Sequence, residues 1–150
     1  MNMPVEPISL DGPCLFDTGV WTWVRDRRFP RLAEWFNEQV AAGNVLVCDL
    51  VALELTRLAP NPSRAREVAG RLAAFDSVPM SDAIWRRARE AQILLAPEGD
   101  HRRVPPTDLL LAGAAEESGV PLVHYDRDYE RIAGVTELRH SWLVPDGALA

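Results

Sequence analysis

Hydrophobic positions along the chain fall into two patterns: short continuous apolar runs and longer segments with helical spacing. The apolar runs predict buried strands at residues 13–16, 45–48 and 120–124, a short strand at 77–80, and an edge strand at 135–138. Continuous apolar runs of this length are typical of strands that are covered on both faces, as in a parallel sheet.

Apolar residues three and four positions apart predict helices between these strands. Leu32, Trp35, Phe36 and Val40 form such a stripe, and Gly43 marks its end. Helices are predicted to begin at Thr18 and to cover residues 31–42, 50–58 with Asp49 as N-cap, 63–75 with Ser63 as N-cap, 81 to a loop at 97–100, 108–118 with Thr107 as N-cap, and 129–133.

Strands that alternate with helices imply crossover connections and a mostly parallel sheet with helices on both faces. The predicted fold class is therefore α/β, a three-layer α/β/α sandwich. Residues 1–150 contain no internal repeat, low-complexity tract or linker, so we expect a single domain. Ligands of such folds bind beyond the carboxyl ends of the strands.

Charge and composition narrow the function. The 22 acidic and 16 basic residues give a net charge of −6, which argues against a protein that coats nucleic acid nonspecifically. Cys14 and Cys48 lie in apolar runs and are expected to be buried free thiols. Neither a membrane span nor a signal peptide is recognisable, which predicts a cytoplasmic protein.

Two aspartates directly follow predicted strands. Asp17 ends the first apolar run and Asp126 follows the run at 120–124, so a parallel sheet would bring both to the same edge. Other roles remain open at this point, since Asp17 could cap a helix and Asp126, with Asp128 nearby, could form a turn.

Two further acids lie on helices that are apolar over most of their circumference. Glu54 lies within the helix 50–58, which we expect to be packed on more than one side, and Asp108 begins the helix 108–118. A carboxylate in such surroundings is costly unless it has a partner. The alternatives are a narrow solvated face for Glu54 and a favourable helix-dipole position for Asp108.

Together the four acids predict a cation site. Two carboxylates about 4 Å apart repel each other by roughly 4 kcal/mol at an effective dielectric constant near 20. A cluster of them is expected to shift its pKa values or to bind a divalent cation. Ligands that are all oxygen favour Mg²⁺ or Mn²⁺ over zinc.

Four segments resemble the VapC-type toxins of the PIN-domain family, which belong to type II toxin–antitoxin systems. These segments are LFDT at 15–18, LEL at 53–55, PTDLLLA at 106–112 and VHYDRDYERIA at 123–133. The resemblance extends from about residue 15 to residue 143. It implies an Mg²⁺- or Mn²⁺-dependent endoribonuclease that acts on RNA, commonly tRNA or rRNA, and that a cognate VapB-type antitoxin inhibits.

The resemblance also assigns roles to individual residues. The catalytic acids are expected to be Asp17, Glu54, Asp108 and Asp126, with Thr18 and Asp128 in support. We expect Asp17, Asp108 and Asp126 to hold the metal directly or through water, while Glu54 orients or deprotonates the attacking water. Where many members carry a serine or asparagine two positions after the first aspartate, this chain has Gly19.

Arginines are the candidate phosphate contacts, since the chain contains no lysine. The loop with His101, Arg102 and Arg103 is favoured as the RNA-binding segment because it leads into Asp108. The groups at 25–31 and 86–89 are interpreted as solvated surface, and His124 as an interior residue. Trp21, Trp23, Trp35 and Phe36 are core candidates. The resemblance suggests that this region also receives an antitoxin helix, and that the protein forms a homodimer.

Three alternatives compete with a ribonuclease. A phosphoacceptor receiver domain needs a lysine near its aspartates, and a phosphatase with an aspartate nucleophile needs a second aspartate where this chain has Gly19. A catalytically silent PIN-like module that only binds RNA or protein remains the main alternative.

Overall fold

The computed structural model describes residues 5–149 of the chain. These residues form five strands, seven α-helices and two short 3-10 turns. The elements in chain order are β1 (Cys14–Phe16), α1 (Thr18–Trp23), α2 (Pro30–Ala41), β2 (Val45–Cys48), α3 (Asp49–Arg57), α4 (Pro62–Leu72), β3 (Ser77–Val78), α5 (Asp82–Leu95), the 3-10 turns Ala96–Glu98 and Asp100–Arg102, α6 (Pro106–Ser118), β4 (Leu122–His124), α7 (Asp128–Ala133) and β5 (His140–Trp142).

The strands form one sheet in the order β3-β2-β1-β4-β5. Every pair is parallel, with Leu15 of β1 opposite Leu46 of β2 on one side and Leu122 of β4 on the other. The chain therefore starts in the middle of the sheet, builds outward through β2 and β3, and returns to the other side of β1. The predicted α/β sandwich with a mostly parallel sheet is confirmed.

The predicted edge strand at 135–138 is wrong, because the strand at this edge is β5, which begins two residues after the end of the predicted strand. The hydroxyl of Thr136 accepts a hydrogen bond from the Leu138 backbone N–H and donates one to the carbonyl of Ile132. These local bonds hold residues 132–138 in a turn and take the place of sheet hydrogen bonds. The pairing is made instead by His140–Trp142 along β4.

Three predicted helix caps are also corrected. Asn61 caps α4 by accepting a hydrogen bond from the backbone N–H of Arg64, so Ser63 lies inside the helix. Pro105 holds the cap position of α6, and Thr107 lies in the first turn. Cys48 precedes α3, whose first residue is Asp49. In the last two cases the helix begins earlier than predicted. Cys48 and Pro105 have extended backbone and hold the cap positions, so Asp49 and Thr107 lie within the helices.

Burial differs between the two helices that carry predicted acids. In α6 all seven residues 109–115 are buried, as expected for a helix that is apolar on all sides. In α3 only Val51 and Leu55 are buried, while Leu53 is 70% exposed. The helix contacts α4, α1 and β2, so it packs against more than one element, but the face that carries Leu53 is exposed.

The core includes the central strands and most of the predicted aromatic cluster. Trp21 and Trp35 are buried, and Trp23 and Phe36 are partly buried against them. Cys14 and Cys48 are buried free thiols, as predicted. In the part of the chain that the structure describes, no helix combines the length and apolar character needed to cross a lipid bilayer.

Candidate metal centre

The predicted acids lie at the edge of the sheet where β1 and β4 end, the point at which the strand order reverses. Asp17 directly follows β1, and Asp126 follows the neighbouring strand β4 by two residues. The backbone N–H of Asp17 donates to the carbonyl of Val123, so the ends of the two strands are in register. Strand order reverses between β1 and β4, which is the position where open parallel sheets bind their ligands.

Three aspartates form the tightest acidic group in the described residues. One carboxylate oxygen from each of Asp108, Asp126 and Asp128 lies within 4.8 Å of the other two. Asp108 comes from the first turn of α6, Asp126 comes from the connection between β4 and α7, and Asp128 is the first residue of α7. Asp128, to which the sequence assigned only a supporting role, thus belongs to the same group as Asp126.

Asp17 joins this group through a tyrosine. The Tyr129 hydroxyl lies 2.9 Å from Oδ1 of Asp17 and 3.2 Å from Oδ1 of Asp108. Asp17 holds the N-cap position of α1, but its side chain makes no capping hydrogen bond there. The carboxylate instead accepts a hydrogen bond from Tyr129, so its role is not limited to that of a helix cap.

Glu54 is the remaining member of the predicted quartet. It lies on α3, is partly exposed, and is close enough to Asp17 for its charge to raise the pKa of that carboxyl. All four predicted catalytic acids are therefore at one edge of the sheet, with Glu54 on the side of Asp17.

Burial and crowding keep negative charge unfavourable in this group. Burial, with the nearby Glu54, raises the pKa of Asp17 to about 6, although hydrogen bonds from Tyr129 and from backbone N–H groups oppose the shift. Burial, followed by the charges of Asp17, Asp126 and Asp128, raises the pKa of Asp108 to about 7. Repulsion among carboxylates of this kind is what a bound cation relieves.

Hydrogen bonds between side chains and backbone stabilise the connection from β4 into α7, where Asp126 and Asp128 lie. Oδ1 of Asp126 accepts a hydrogen bond from the Asp128 backbone N–H, so Asp126 forms the turn that was its alternative role and also belongs to the acidic group. The Asp126 backbone N–H donates to Nδ1 of His124. His124 is fully buried and lies 2.8 Å from Nδ1 of His140, which confirms it as an interior residue.

Thr18 and Gly19 line the Asp17 side of the centre. The buried Thr18 hydroxyl has no hydrogen-bond partner among residues 5–149, which is uncommon for a buried polar group. A Cβ added at Gly19 would lie 3.3 Å from Oδ2 of Asp17. Any larger side chain at position 19 would thus be in contact with the carboxylate.

A chain of ion pairs connects the acidic group to the arginine loop. Arg131 lies 2.7 Å from Oδ1 of Asp128 and 3.9 Å from Oδ1 of Asp100. Asp100 begins the 3-10 turn that contains His101 and Arg102, and the side chains of residues 101–103 are exposed. Some arginines of the other two groups are paired elsewhere: Arg28 with Asp26, Arg31 with three glutamates, and Arg87 with Glu116 and Glu117.

Tyr129 is the residue that sequence reasoning missed, because it was interpreted only as the start of a short helix. A signal for it exists in the sequence. Tyr129 and Ile132 are three residues apart in α7 and both are buried, so the tyrosine faces the core. A buried tyrosine hydroxyl needs a hydrogen-bond partner, and the predicted acids were the nearest candidates.

The donor set is suited to a hard divalent cation. The groups that converge are carboxylates, and neither cysteine sulfur nor a histidine nitrogen belongs to the tightest group in the described residues. Oxygen ligands of this kind are those that Mg²⁺, Mn²⁺ and Ca²⁺ prefer.

Comparison with known proteins gives one family. The model of the PIN domain family matches residues 14–135. Ribonuclease VapC18 of Mycobacterium tuberculosis is 32% identical over 135 residues, which are 89% of this chain and 96% of that protein. Ribonuclease VapC21 of the same species is 43% identical over 74 residues, so this chain spans about half, 54%, of the length of that relative.

Solved structures with the same fold come from toxin–antitoxin complexes. The DNA-bound VapBC of Salmonella typhimurium has a TM-score of 0.69 at 21% identity, and the match covers 88% of this chain and 98% of that one. VapBC-5 of Mycobacterium tuberculosis has a TM-score of 0.61 at 20% identity, with 86% and 97% covered. At this level of identity the likeness concerns the fold.

Proposed function

Because this chain belongs to the PIN-domain family, we propose that it is a divalent-cation-dependent endoribonuclease and the toxin of a VapBC-type toxin–antitoxin pair. Mg²⁺ is the proposed cofactor, with Mn²⁺ as a substitute. The proposed substrate is RNA, of the tRNA or rRNA class, which places its action in the cytoplasm. Residues 1–150 act as one domain in this proposal, which is supported by a single core that includes residues from Cys14 to Leu149.

One observation carries the proposal: acids from distant parts of the chain share one edge of the sheet at its reversal point. Asp17 and Asp108 are 91 positions apart (108 − 17), yet both contact the same hydroxyl. Folding stability alone gives no reason to gather carboxylates whose pKa values are raised by burial and mutual repulsion. A cation site gives such a reason, and perturbed carboxyl groups are common at functional sites.

Each acid has a proposed role. Asp17, Asp108 and Asp126 hold the cation directly or through water, with Asp128 beside them and the Thr18 hydroxyl directed to a water or phosphate oxygen. When bound, the cation lowers the pKa of the attacking water and stabilises charge on the phosphodiester. Glu54, at the margin of the group, orients that water and accepts its proton.

The RNA side of the proposal rests on the exposed loop at 101–103. His101, Arg102 and Arg103 offer guanidinium and imidazole groups to phosphates next to the acidic group. The contacts from Asp100 through Arg131 to Asp128 fix the start of this loop close to the centre. A local positive segment of this kind allows an acidic protein to bind RNA at one place only.

The experiment that tests the proposal compares Asp17→Asn with Asp11→Asn. Asp11 is an exposed aspartate that precedes β1, at the opposite edge of the sheet, and serves as the matched control. Cleavage of total cellular RNA is measured with Mg²⁺ and with EDTA, and the ends are mapped to single nucleotides. We expect wild type and Asp11→Asn to cleave only with Mg²⁺, and Asp17→Asn to lose at least about a thousandfold, roughly 4 kcal/mol of transition-state stabilisation.

The alternative is a silent PIN-like module that only binds RNA or protein. Calorimetric titration of wild type with Mn²⁺ distinguishes the two, because a silent module has no carboxylate-dependent cation binding. Undiminished cleavage by Asp17→Asn would refute the assignment of the acids, and absence of both Mn²⁺ binding and cleavage in wild type would favour the silent module.

The proposed protein partners are a VapB-type antitoxin and a second copy of the chain. Trp23 is one of two partly exposed members of the aromatic cluster, packs edge-on against Phe29 and Tyr125, and is a candidate contact for an antitoxin helix. Trp23→Ala is expected to weaken binding of the cognate antitoxin, measured by titration calorimetry, with little change in cation binding. An unchanged antitoxin affinity would remove Trp23 from the interface.

A further inference from the structure

The Tyr129 hydroxyl is placed between two carboxylates that come from different parts of the fold. Its oxygen lies 2.9 Å from Oδ1 of Asp17 and 3.2 Å from Oδ1 of Asp108. No other side chain within residues 5–149 donates a hydrogen bond to either carboxylate. Of the side-chain hydrogen bonds, those of Tyr129 alone therefore link the end of β1 to the first turn of α6.

The tyrosine itself has no freedom to follow the carboxylates. Its side chain is fully buried, and its ring centroid lies 4.9 Å from that of His124. His124 is fixed in turn by His140 and by the Asp126 backbone N–H. Packing against residues of β4 and β5 therefore fixes the position of the hydroxyl, which in turn sets the positions of the two Oδ1 atoms bonded to it.

Only one oxygen of each carboxylate is used by this contact. The hydroxyl has a single proton, which it shares between the two Oδ1 atoms, and it makes no contact with Oδ2 of either aspartate. Without the hydroxyl, the two buried carboxylates would repel each other and turn apart. Hydrogen bonds that orient ligating carboxylates in this way raise the affinity of metal sites.

We infer that Tyr129 is a positioning residue of the cation site, whose hydroxyl holds Asp17 and Asp108 at the separation that the cation requires. This inference rests on the proposed function and adds to it a residue outside the acidic quartet. Tyr129 does not touch substrate in this scheme, and it acts only through the two aspartates.

The test is the removal of one oxygen atom by Tyr129→Phe, with Tyr125→Phe as the matched control. Tyr125 is the other tyrosine of the chain, and its hydroxyl accepts a hydrogen bond from the backbone N–H of Leu149, away from the carboxylates. Mn²⁺ affinity is measured by titration calorimetry, and the Mg²⁺ concentration for half-maximal RNA cleavage is measured with the same preparations. Melting temperatures are recorded without cation.

We expect Tyr129→Phe to bind Mn²⁺ about tenfold more weakly and to need about tenfold more Mg²⁺, while its cleavage rate at saturating Mg²⁺ stays within a few fold of wild type. Tyr125→Phe should match wild type in both. A lower melting temperature with unchanged Mn²⁺ affinity would show a purely structural role and overturn the inference, as would tighter binding. If wild type binds Mn²⁺ and Tyr129→Phe binds it equally well, the inference about Tyr129 fails and the proposed function survives. If wild type binds no cation, both fail.

Discussion

The acidic side chains at the two ends of α6 have opposite electrostatic surroundings. In the last turn, Glu116 and Glu117 are both paired with Arg87, at 2.8 Å and 2.6 Å. In the first turn, Asp108 faces other carboxylates, and burial together with their charge raises its pKa to about 7. The same helix thus carries two glutamates that share an arginine partner and one aspartate whose nearest charged neighbours are also acids.

The difference shows which part of the helix serves stability. Between the two ends, Gly113 lies against α5 so closely that an added Cβ would be 3.2 Å from both Cγ2 and the carbonyl oxygen of Ile84. Packing and charge are therefore satisfied toward the end of α6, where the helix meets α5. The unsatisfied first turn is the part that a cation would complete.

The largest expected effect comes from Asp108→Asn in cation-free protein. The folded-state pKa of Asp108, about 7, lies above its usual value of 3.8, so the folded state retains a proton that the unfolded state loses first. Stability from this group is full below pH 4 and is lost as the pH rises toward 7. A shift of about three pH units corresponds to about 4 kcal/mol, which Asp108→Asn should recover at pH 8.

Urea unfolding at pH 5 and pH 8 in EDTA measures this effect, with Glu117→Gln as the control from the paired end. Loss of an exposed ion pair should cost at most about 1 kcal/mol, at both pH values alike. Mn²⁺ should stabilise wild type at pH 8 but not Asp108→Asn, because a ligand stabilises only the state that binds it. If the free energy of unfolding of Asp108→Asn had the same pH dependence as that of wild type, Asp108 would not be an uncompensated acid and the two ends of α6 would not differ.

A smaller effect is expected from Gly113→Ala, which tests the packed part of α6. The added methyl group meets backbone and a buried side chain of Ile84, so we expect a loss of about 1–3 kcal/mol in the free energy of unfolding. Gly70→Ala on α4 is the matched control, since a Cβ there meets nothing within 4 Å. Because alanine favours helix by up to about 1 kcal/mol, this control should be stabilised. Equal effects of the two substitutions would show that α5 and α6 have room to adjust.

The sequence predicted the features of the site that follow from chain direction. Strand ends in a parallel sheet share an edge, so Asp17 and Asp126 could be placed together from the apolar runs alone. The apolar circumference of residues 109–115 likewise predicted a buried helix behind Asp108. These inferences needed only local patterns and the topology of α/β folds.

Features that depend on tertiary contacts were not predictable in this way. Leu53 is exposed although its helix looks apolar, because burial depends on which neighbours cover that face. The edge strand lies at 140–142 because the Thr136 hydroxyl forms a turn before it. The bridge from Tyr129 to two acids joins residues that are 112 and 21 positions away, which no local pattern contains.

The span of that bridge has a consequence for how the molecule is made. A contact between residues 17 and 129 closes only after β4 has inserted beside β1 and most of the polypeptide has left the ribosome. Pairings this remote in sequence form late and slowly during folding. A nascent or truncated chain that ends before α7 contains all four proposed catalytic acids but lacks Asp128, Tyr129 and the edge strand β5, and we expect it to be inactive. Synthesis and activity are thereby separated in time by the topology itself.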